Sequence, residues 1–167
     1  MAVLGCGSAD AGAGPLDQDA AELAAILETV ELTYRVSSFA DAGSADPEEF
    51  RRPFTPTATL GFVRDGQLVE RTVDEYVQIR REMLQGGEVR SLEEWEVGGT
   101  TSLFGNVAQR WSWYAVRLNG EEELAERGVM SFQLMKIGGT WKVHSLTWQA
   151  GSAEHPLPAD FPPLEGM

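Results

Sequence analysis

The last third of the chain most constrains its fold, because it is predicted to form three consecutive antiparallel strands. These are GNVAQRWSWYAVRL, RGVMSFQLMKI and TWKVHSLTWQ, between Gly105 and Gln149. Gly138 and Gly139 separate the last two, and two glycines between alternating apolar runs indicate a tight hairpin, since both can adopt positive φ. Several indoles on one face of a sheet either fill a large core or wall a pocket. The strands carry these aromatic residues: Trp111, Trp113, Tyr114, Phe132, Trp141 and Trp148.

Composition excludes several classes of partner. A chain of 167 residues with 43% hydrophobic content is expected to form one domain with a full core. The formal net charge of −13 and the lack of Lys/Arg clusters argue against a nucleic-acid partner. No apolar run is long enough to span a bilayer. With Cys6 alone, no intramolecular disulfide or cysteine-based zinc spacing exists, and no other ligand spacing supports a metal site. No cofactor is expected either.

The two ends of the chain differ from its middle in composition. Residues 1–15 are rich in Gly, Ala and Ser and are predicted to be a disordered tail, while residues 153–167 are predicted to be a Pro-rich irregular tail. Residues 16–152 remain as the domain. Val3-Leu4-Gly5-Cys6 resembles a lipobox, but no basic segment or long apolar stretch precedes the cysteine. We therefore expect a cytoplasmic protein, with an exported lipoprotein as the alternative if Cys6 lies in a truncated lipobox.

Helical patterns dominate the first half. A helix is predicted over residues 17–38, a short helix after Asp46-Pro47 up to about residue 52, and a third helix from the Thr72–Glu75 capping box to Gly86-Gly87. A strand over residues 57–63 ends in the turn of residues 64–67, and another strand is predicted over residues 88–97. The order indicates an α+β fold with helices on one face of a sheet. One face of the first helix is predicted to be apolar and to comprise Leu23, Ile26, Leu27, Val30 and Tyr34.

Three short motifs occur in an order typical of one superfamily. They are FTPTATL at residues 54–60, GNVA at residues 105–108 and GTWKV at residues 139–143. On these motifs the chain resembles the NTF2-like, or SnoaL-like, superfamily, as a bacterial member of unassigned function. The resemblance implies an α+β cone, in which three N-terminal helices pack into a strongly curved antiparallel sheet and leave a pocket at the open end. It does not imply one activity, because this fold carries isomerases, dehydratases and binding modules.

Strand periodicity alone leaves open which sheet face is concave. A two-residue loop at Gly138-Gly139 predicts that Gln133 lies opposite His144, and that Trp148 lies opposite Val129 on the same face. The other face is purely apolar and could form the core, which would leave His144 and Gln133 outside or at a dimer contact. The resemblance to ketosteroid isomerases favours the first face as the pocket wall. The ligand-binding residues predicted from it are Tyr34, Phe62, Trp111, Trp113, Ser131, Gln133, His144 and Trp148.

The chain departs from the isomerases at their two acidic residues. Aligned with them are Phe62, in place of the general base, and Ser131, in place of the proton-donating acid. No strand residue predicted to face the pocket is Asp or Glu, and Glu93-Glu94 is expected to be a solvated edge. An acid–base pair of His144 and Tyr34 is the remaining catalytic candidate. Each residue also has a structural interpretation, His144 as a wall residue bonded to Gln133 and Tyr34 as a core tyrosine.

Three functions remain open from the sequence. The protein is a binding module for a small apolar or aromatic molecule, a dehydratase-like, cofactor-free lyase or isomerase using His144 and Tyr34, or a structural and dimerisation domain with a filled cone. A homodimer is predicted in each case, because the resemblance implies an outer sheet face that commonly pairs with its own copy in this superfamily. The outward residues predicted to form that contact are Arg110, Ser112, Tyr114 and Val116.

Overall fold

A computed structural model describes residues 15–159 and residue 161, with side chains described from Asp19 onward. The helices are α1 (Pro15–Ser37), a 3-10 helix (Pro47–Arg51) and α2 (Val73–Gly86). The strands are β1 (Phe54–Arg64), β2 (Gln67–Thr72), β3 (Leu92–Phe104), β4 (Val107–Leu118), β5 (Glu126–Ile137) and β6 (Thr140–Ala150). Cys6 and almost all of the predicted N-terminal tail lie outside the described residues, so both hypotheses about them stay predictions. None of the described helices is long and apolar enough to cross a membrane.

The six described strands form one mixed sheet in the order β2-β1-β6-β5-β4-β3. All neighbours are antiparallel except β1 and β6, which run parallel. The prediction of a wholly antiparallel sheet is therefore wrong at this one pairing. The sequence analysis also missed β2, whose residues are almost all exposed and lack an apolar face. Asp65 and Gly66 both have positive φ and make the tight turn between β1 and β2.

The helices cover one face of the sheet, which we call the inner face. The sequence predicts three helices, whereas the described residues contain two α-helices and one 3-10 helix of five residues. The α2 capping box forms as expected, with reciprocal bonds between Thr72 and Glu75. The apolar face of α1 is narrower than predicted, because Leu23 and Leu27 remain 37% and 42% exposed. The residues of α1 that are buried in the core include Ile26, Val30 and Tyr34.

The C-terminal hairpin forms at Gly138-Gly139, with φ values of 58° and 84°. The predicted register holds from Ile137–Thr140 to Leu134–Val143 and then shifts by one residue at a β-bulge. Beyond the bulge, Gln133 pairs with Ser145 and not with His144. The predicted pairing of Gln133 with His144 is therefore wrong.

The physical reason for the bulge lies in β1. Pro56 cannot donate a ladder hydrogen bond, and the pairing of β1 with β6 is irregular between Phe54–Val143 and Thr59–Ser145. His144 is the one residue of β6 inside that gap, and its Nδ1 lies 3.1 Å from the Thr55 hydroxyl. A bulge reverses the parity of all later residues, so Trp148 lies on the inner face with Met130 as its partner.

Candidate functional site

A cavity of about 230 Å³ lies on the inner face, between α2, the 3-10 helix and the sheet. We call it the inner cavity. Most of its wall is apolar, and the polar residues that line it include Tyr76, Arg80, Glu94 and Glu126. The apolar wall includes Leu60, Ile79, Met83, Met130, Leu146 and Trp148. An apolar concavity with a few polar groups is the usual form of a small-molecule site.

The C-terminal end of α1 fixes one side of the inner cavity. The Glu94 amide donates to the Ser38 hydroxyl at 2.9 Å, and that hydroxyl lies 3.1 Å from the Glu94 carbonyl oxygen. Arg80 donates through its terminal guanidinium nitrogens to the carbonyl oxygens of Val36 and Ser37, both at 3.0 Å. These carbonyls belong to the last turn of α1 and have no partner within the helix. The contacts therefore hold Glu94 and Arg80 in fixed positions relative to α1.

Arg80 is a buried cation in the cavity wall, only 8% exposed. Its guanidinium carbon lies 5.1 Å from the Phe50 ring centre and 5.9 Å from that of Phe39. Burial lowers the pKa of Arg80, and the charge of Glu94 opposes that effect. Its Nε is buried and has no hydrogen-bond partner among the described residues. No ion pair between Arg80 and Glu94 is found in the described part of the chain. The charge of Glu94 therefore acts on the Arg80 guanidinium through space.

Glu94 is the carboxyl group of the inner cavity whose environment is most unusual. Its pKa is raised from 4.5 to about 7, mainly by burial and in part by the negative charge of Glu126, while a hydrogen bond from Ser37 and the charge of Arg80 act in the opposite direction. A carboxyl with a pKa near 7 can both accept and donate a proton at neutral pH. Glu126 itself lies at the exposed rim and accepts a hydrogen bond from the Tyr114 hydroxyl at 2.5 Å.

Aromatic rings form a continuous wall on the α2 side. The ring centres of Tyr76 and Trp148 are 6.1 Å apart, and Tyr76 stacks on Phe50 at 6.0 Å. Phe62 contacts Trp148 from outside the inner cavity at 4.9 Å. Burial raises the pKa of Tyr76 to about 12, so its hydroxyl stays protonated at neutral pH. A flat ring bound in the inner cavity would lie against this wall.

A second set of polar groups is buried deeper in the inner face and forms a closed network. The Tyr34 hydroxyl is 2.7 Å from the Ser112 hydroxyl, which donates to Glu96 at 2.5 Å. Arg110 donates to both carboxylate oxygens of Glu96 and to the Thr101 hydroxyl. Burial raises the pKa of Tyr34. These groups satisfy one another, and a network of this kind specifies one arrangement of the interior.

The structure places Trp111, Trp113, Ser131, Gln133 and His144 on the outer face of the sheet. Trp111 is 46% exposed, and Gln133 and His144 are exposed as well. Their predicted inward orientation is wrong, because the apolar face of β5 and β6 forms the core, as the alternative interpretation of the sequence allowed. Trp111 and Ser131 line a separate outer groove of about 320 Å³ beside residues 155–158.

The predicted catalytic pair is not brought together. Tyr34 is 4% exposed in the core, with its hydroxyl engaged by Ser112, whereas His144 lies on the outer face beside Thr55. The residues predicted to form the dimer contact do not face outward, because Arg110, Ser112 and Tyr114 are buried on the inner face and Val116 packs against the core. Of the other predicted ligand-binding residues, Trp148 lines the inner cavity and Phe62 supports it from outside.

Sequence reasoning missed Glu94, which it placed at a solvated edge. In β3 the residues alternate, so Glu94 and Glu96 face inward while Glu93 and Trp95 face outward. The segment Glu93-Glu94-Trp95-Glu96 carried the signal, because period two puts its second and fourth residues on one face. The signal was overlooked because inward carboxyls are rare unless a partner or a function accounts for them.

Comparison with known proteins gives the fold a name. No protein-family profile and no curated protein sequence matches the chain. A protein of unknown function from Mycobacterium tuberculosis is similar in structure, with 17% identity, coverage of 90% of this chain and 85% of that one, and a TM-score of 0.68. An NTF2-like protein of unknown function from Pseudomonas putida is 13% identical over 86% of this chain and 98% of that one, with a TM-score of 0.63.

A third similar structure has been given an enzyme's name. It comes from Novosphingobium aromaticivorans and is provisionally named a scytalone dehydratase. It is 15% identical over 89% of this chain and 99% of that one, with a TM-score of 0.60. Likeness at such low identity concerns the fold and not the activity. The mixed curved sheet, the helices on its inner face and these neighbours together identify the chain as a protein of the NTF2-like fold.

Proposed function

We propose that the protein binds a small, mainly apolar molecule in the inner cavity. The observation that supports this is an aromatic and aliphatic wall interrupted by a few polar groups on one side. A cavity of about 230 Å³ lies between the roughly 150 Å³ that holds a single benzene ring and the roughly 300 Å³ at the lower end of ligand pockets. Its size therefore favours a compound of one or two rings over a purely structural, filled cone.

A pair of matched substitutions tests this proposal. Met83→Trp adds an indole inside the inner cavity, whereas Met135→Trp adds one on the outer face, where Met135 is 38% exposed. Binding of the two-ring ketone 2-indanone would be measured by isothermal titration calorimetry. We expect saturable binding to the wild type and to Met135→Trp, and at least about tenfold weaker binding to Met83→Trp, because its indole occupies the ligand volume. Absence of saturable binding, or equal affinity in both variants, would refute the proposal.

A second candidate function is cofactor-free elimination or isomerisation in the same cavity. Similar structures from Novosphingobium aromaticivorans and Streptomyces avermitilis carry provisional dehydratase names. Acid–base chemistry of this kind needs a group that exchanges protons near neutral pH. The specific observation in favour is the pKa of Glu94 at about 7 inside the cavity. His144 and Tyr34 lie on opposite faces of the sheet, which makes Glu94 the better acid–base candidate.

We also propose that the protein forms a homodimer through the outer face. The net charge of −13 makes two copies repel each other, yet two adjacent rows of this face carry no charged side chain. Next to them lie Phe104 and Val107, which are 86% and 50% exposed. An uncharged face is where two such copies can approach. The two rows are Thr100, Trp111, Ser131, Thr147 and Ser102, Gln109, Gln133, Ser145.

Light scattering with two charge-matched variants tests the dimer. Trp111→Glu places a charge at the centre of the uncharged rows, whereas Leu68→Glu places one on β2, where Leu68 is 69% exposed. We expect the wild type and Leu68→Glu to have twice the chain mass of 18.3 kDa at micromolar concentration, and Trp111→Glu to have the monomer mass. A wild-type protein of monomer mass would contradict this proposal.

A further inference from the structure

We infer that the molecule bound in the inner cavity is a small amine with an aromatic ring, held as its ammonium ion by the carboxyl groups of Glu94 and Glu126. The inference rests on the proposed binding of a small molecule in that cavity and names the charge of that molecule. Both residues line the cavity, with Glu94 in β3 and Glu126 in β5. We call the rings of Phe50, Tyr76 and Trp148, which also line it, the aromatic wall.

The two carboxyl groups of the inner cavity have unused capacity to accept hydrogen bonds. An ionised carboxylate offers about four acceptor positions. Within the described residues, the Glu94 carboxyl has Ser37 as its hydrogen-bond partner and the Glu126 carboxylate has Tyr114. Neither carboxyl forms an ion pair in that part of the chain. An ammonium group, with its three N–H donors and its positive charge, supplies what both carboxyls lack.

The cation in the cavity wall, Arg80, is not free to pair with an anionic ligand. A carboxylate binds a guanidinium through two neighbouring nitrogens. In Arg80 the two terminal nitrogens donate to carbonyl oxygens of α1, and Nε is buried from water. With both carboxyls ionised, the residues lining the cavity carry one net negative charge, because Arg80 offsets one of the two. An ammonium ligand neutralises this charge, whereas a carboxylate ligand adds to it.

The aromatic wall suits both parts of such an amine. Tyr76 and Trp148 meet edge to face, with ring centres 6.1 Å apart, and a ligand ring would pack against them. The faces of aromatic rings also attract cations, more strongly where water is excluded. The guanidinium carbon of Arg80 already lies 5.1 Å from the Phe50 ring centre. The net charge of −13 further favours the approach of a cation over that of an anion.

Three compounds with one ring system and different charges test the inference. 2-Aminoindane carries an ammonium group, 2-indanone is neutral, and indane-2-carboxylate is an anion. Isothermal titration calorimetry at about pH 8 measures their binding, since an alkylammonium stays protonated there. We expect 2-aminoindane to bind at least about tenfold more tightly than 2-indanone, the gain from one charge-assisted hydrogen bond, and indane-2-carboxylate to bind more weakly than 2-indanone.

Variants of the two carboxyl residues locate the binding of 2-aminoindane. Glu94→Gln should weaken it at least about tenfold while changing the affinity for 2-indanone less than about threefold. Glu126→Gln should weaken it at least about threefold, a smaller loss because water screens this exposed carboxylate. Glu70→Gln, at an exposed position of β2, is the charge-matched control and should bind like the wild type. Met83→Trp should weaken the binding of 2-aminoindane at least about tenfold, because its indole occupies the ligand volume.

The affinity for 2-aminoindane should fall as pH falls. An ammonium pairs with the ionised carboxylate, and the pKa of Glu94 is about 7, so at lower pH the ligand must displace a proton. The dissociation constant should therefore be about tenfold higher at about pH 6 than at about pH 8, and nearly constant in Glu94→Gln. Burial keeps the pKa of the surrounding tyrosines above 10, and a guanidinium stays protonated. The titratable and charged groups around Glu94 are Tyr34 of α1, Tyr76 and Arg80 of α2, Tyr114 of β4 and Glu126 of β5.

The outcomes separate the charge of the ligand from the existence of the site. Binding of 2-indanone without tighter binding of 2-aminoindane would overturn the inference and leave the proposed binding function intact. Equal affinity of 2-aminoindane for the wild type and Glu94→Gln, or for the wild type and Met83→Trp, would overturn it as well, because the amine would then bind elsewhere on the acidic surface. Absence of binding of all three compounds would overturn both proposals. A thermal unfolding midpoint of Glu94→Gln at or above that of the wild type at about pH 8 shows that a lower affinity is not a lost fold.

Discussion

Replacing Glu94 by Gln should change the way stability depends on pH. In the folded protein the Glu94 carboxyl has a pKa of about 7, whereas its ordinary value is 4.5. Between these two values the unfolded chain ionises the group while the folded protein keeps it protonated, so rising pH favours the unfolded state. The stability of the wild type therefore falls as pH rises from about 4.5 to about 7, and Glu94→Gln lacks this effect.

The size of the effect follows from the two pKa values. The difference between 4.5 and about 7, at about 1.4 kcal/mol per pH unit, amounts to about 3 kcal/mol. Gln has nearly the shape of Glu but does not titrate. As pH rises through this range, the free energy of unfolding of Glu94→Gln should therefore increase by about that amount relative to the wild type. Above about pH 8 the difference should no longer change.

Urea unfolding followed by tryptophan fluorescence, at several values between about pH 5 and about pH 8, measures this difference. Subtracting the wild-type free energy of unfolding from that of Glu94→Gln at each pH removes the contributions of all other titrating groups. Glu70→Gln, at an exposed position of β2, is the control, and its difference from the wild type should be flat. A flat curve for Glu94→Gln as well, within about 0.5 kcal/mol, would refute the argument that burial raises the pKa of this carboxyl.

Two further substitutions and one control variant test the packing of the interior. Gly128→Ala should destabilise the protein by about 1–3 kcal/mol in urea unfolding, because a Cβ there would lie 2.3 Å from a backbone carbonyl oxygen, whereas Gly86→Ala, with nothing within 4 Å, should be neutral or slightly stabilising; equal stability of the two would show the sheet to be looser than described. Ser112→Ala should cost about 1–3 kcal/mol, since it leaves Tyr34 without its partner and removes one of the donors to Glu96; an unchanged midpoint would mean that the network has other partners.

The turn and the helix cap that depend on neighbouring residues could be predicted from the sequence. The glycine pair at residues 138–139 and the Thr72–Glu75 capping box each lie within a few residues, and both form as expected. The pairing of β6 with β5 beyond His144 was predicted wrongly because it depends on Pro56, a residue nearly ninety positions earlier in the sequence. Its missing N–H produces the irregular pairing at His144.

The candidate site was harder to predict than the fold. The resemblance to isomerases predicted the site from the two positions that carry their acids, and this chain has Phe62 and Ser131 there. Glu94 enters the inner cavity from a different strand, and its unusual environment arises from burial and from groups on α1, α2 and β5. The alternation within β3 indicates that Glu94 faces inward. The groups that surround it there come from distant elements, and no pattern within a single strand predicts them.

The parallel pairing of β1 with β6 has a consequence for how the chain folds as it leaves the ribosome. The first hairpin can form early, but among the described strands its neighbour in the sheet is β6, the last of them in the sequence. Until β6 has emerged, one edge of β1 and part of the apolar interior stay open to other chains. Such late closure predicts slow folding for a protein of this size, and a nascent chain that stalls before residue 140 would be a natural client for chaperones.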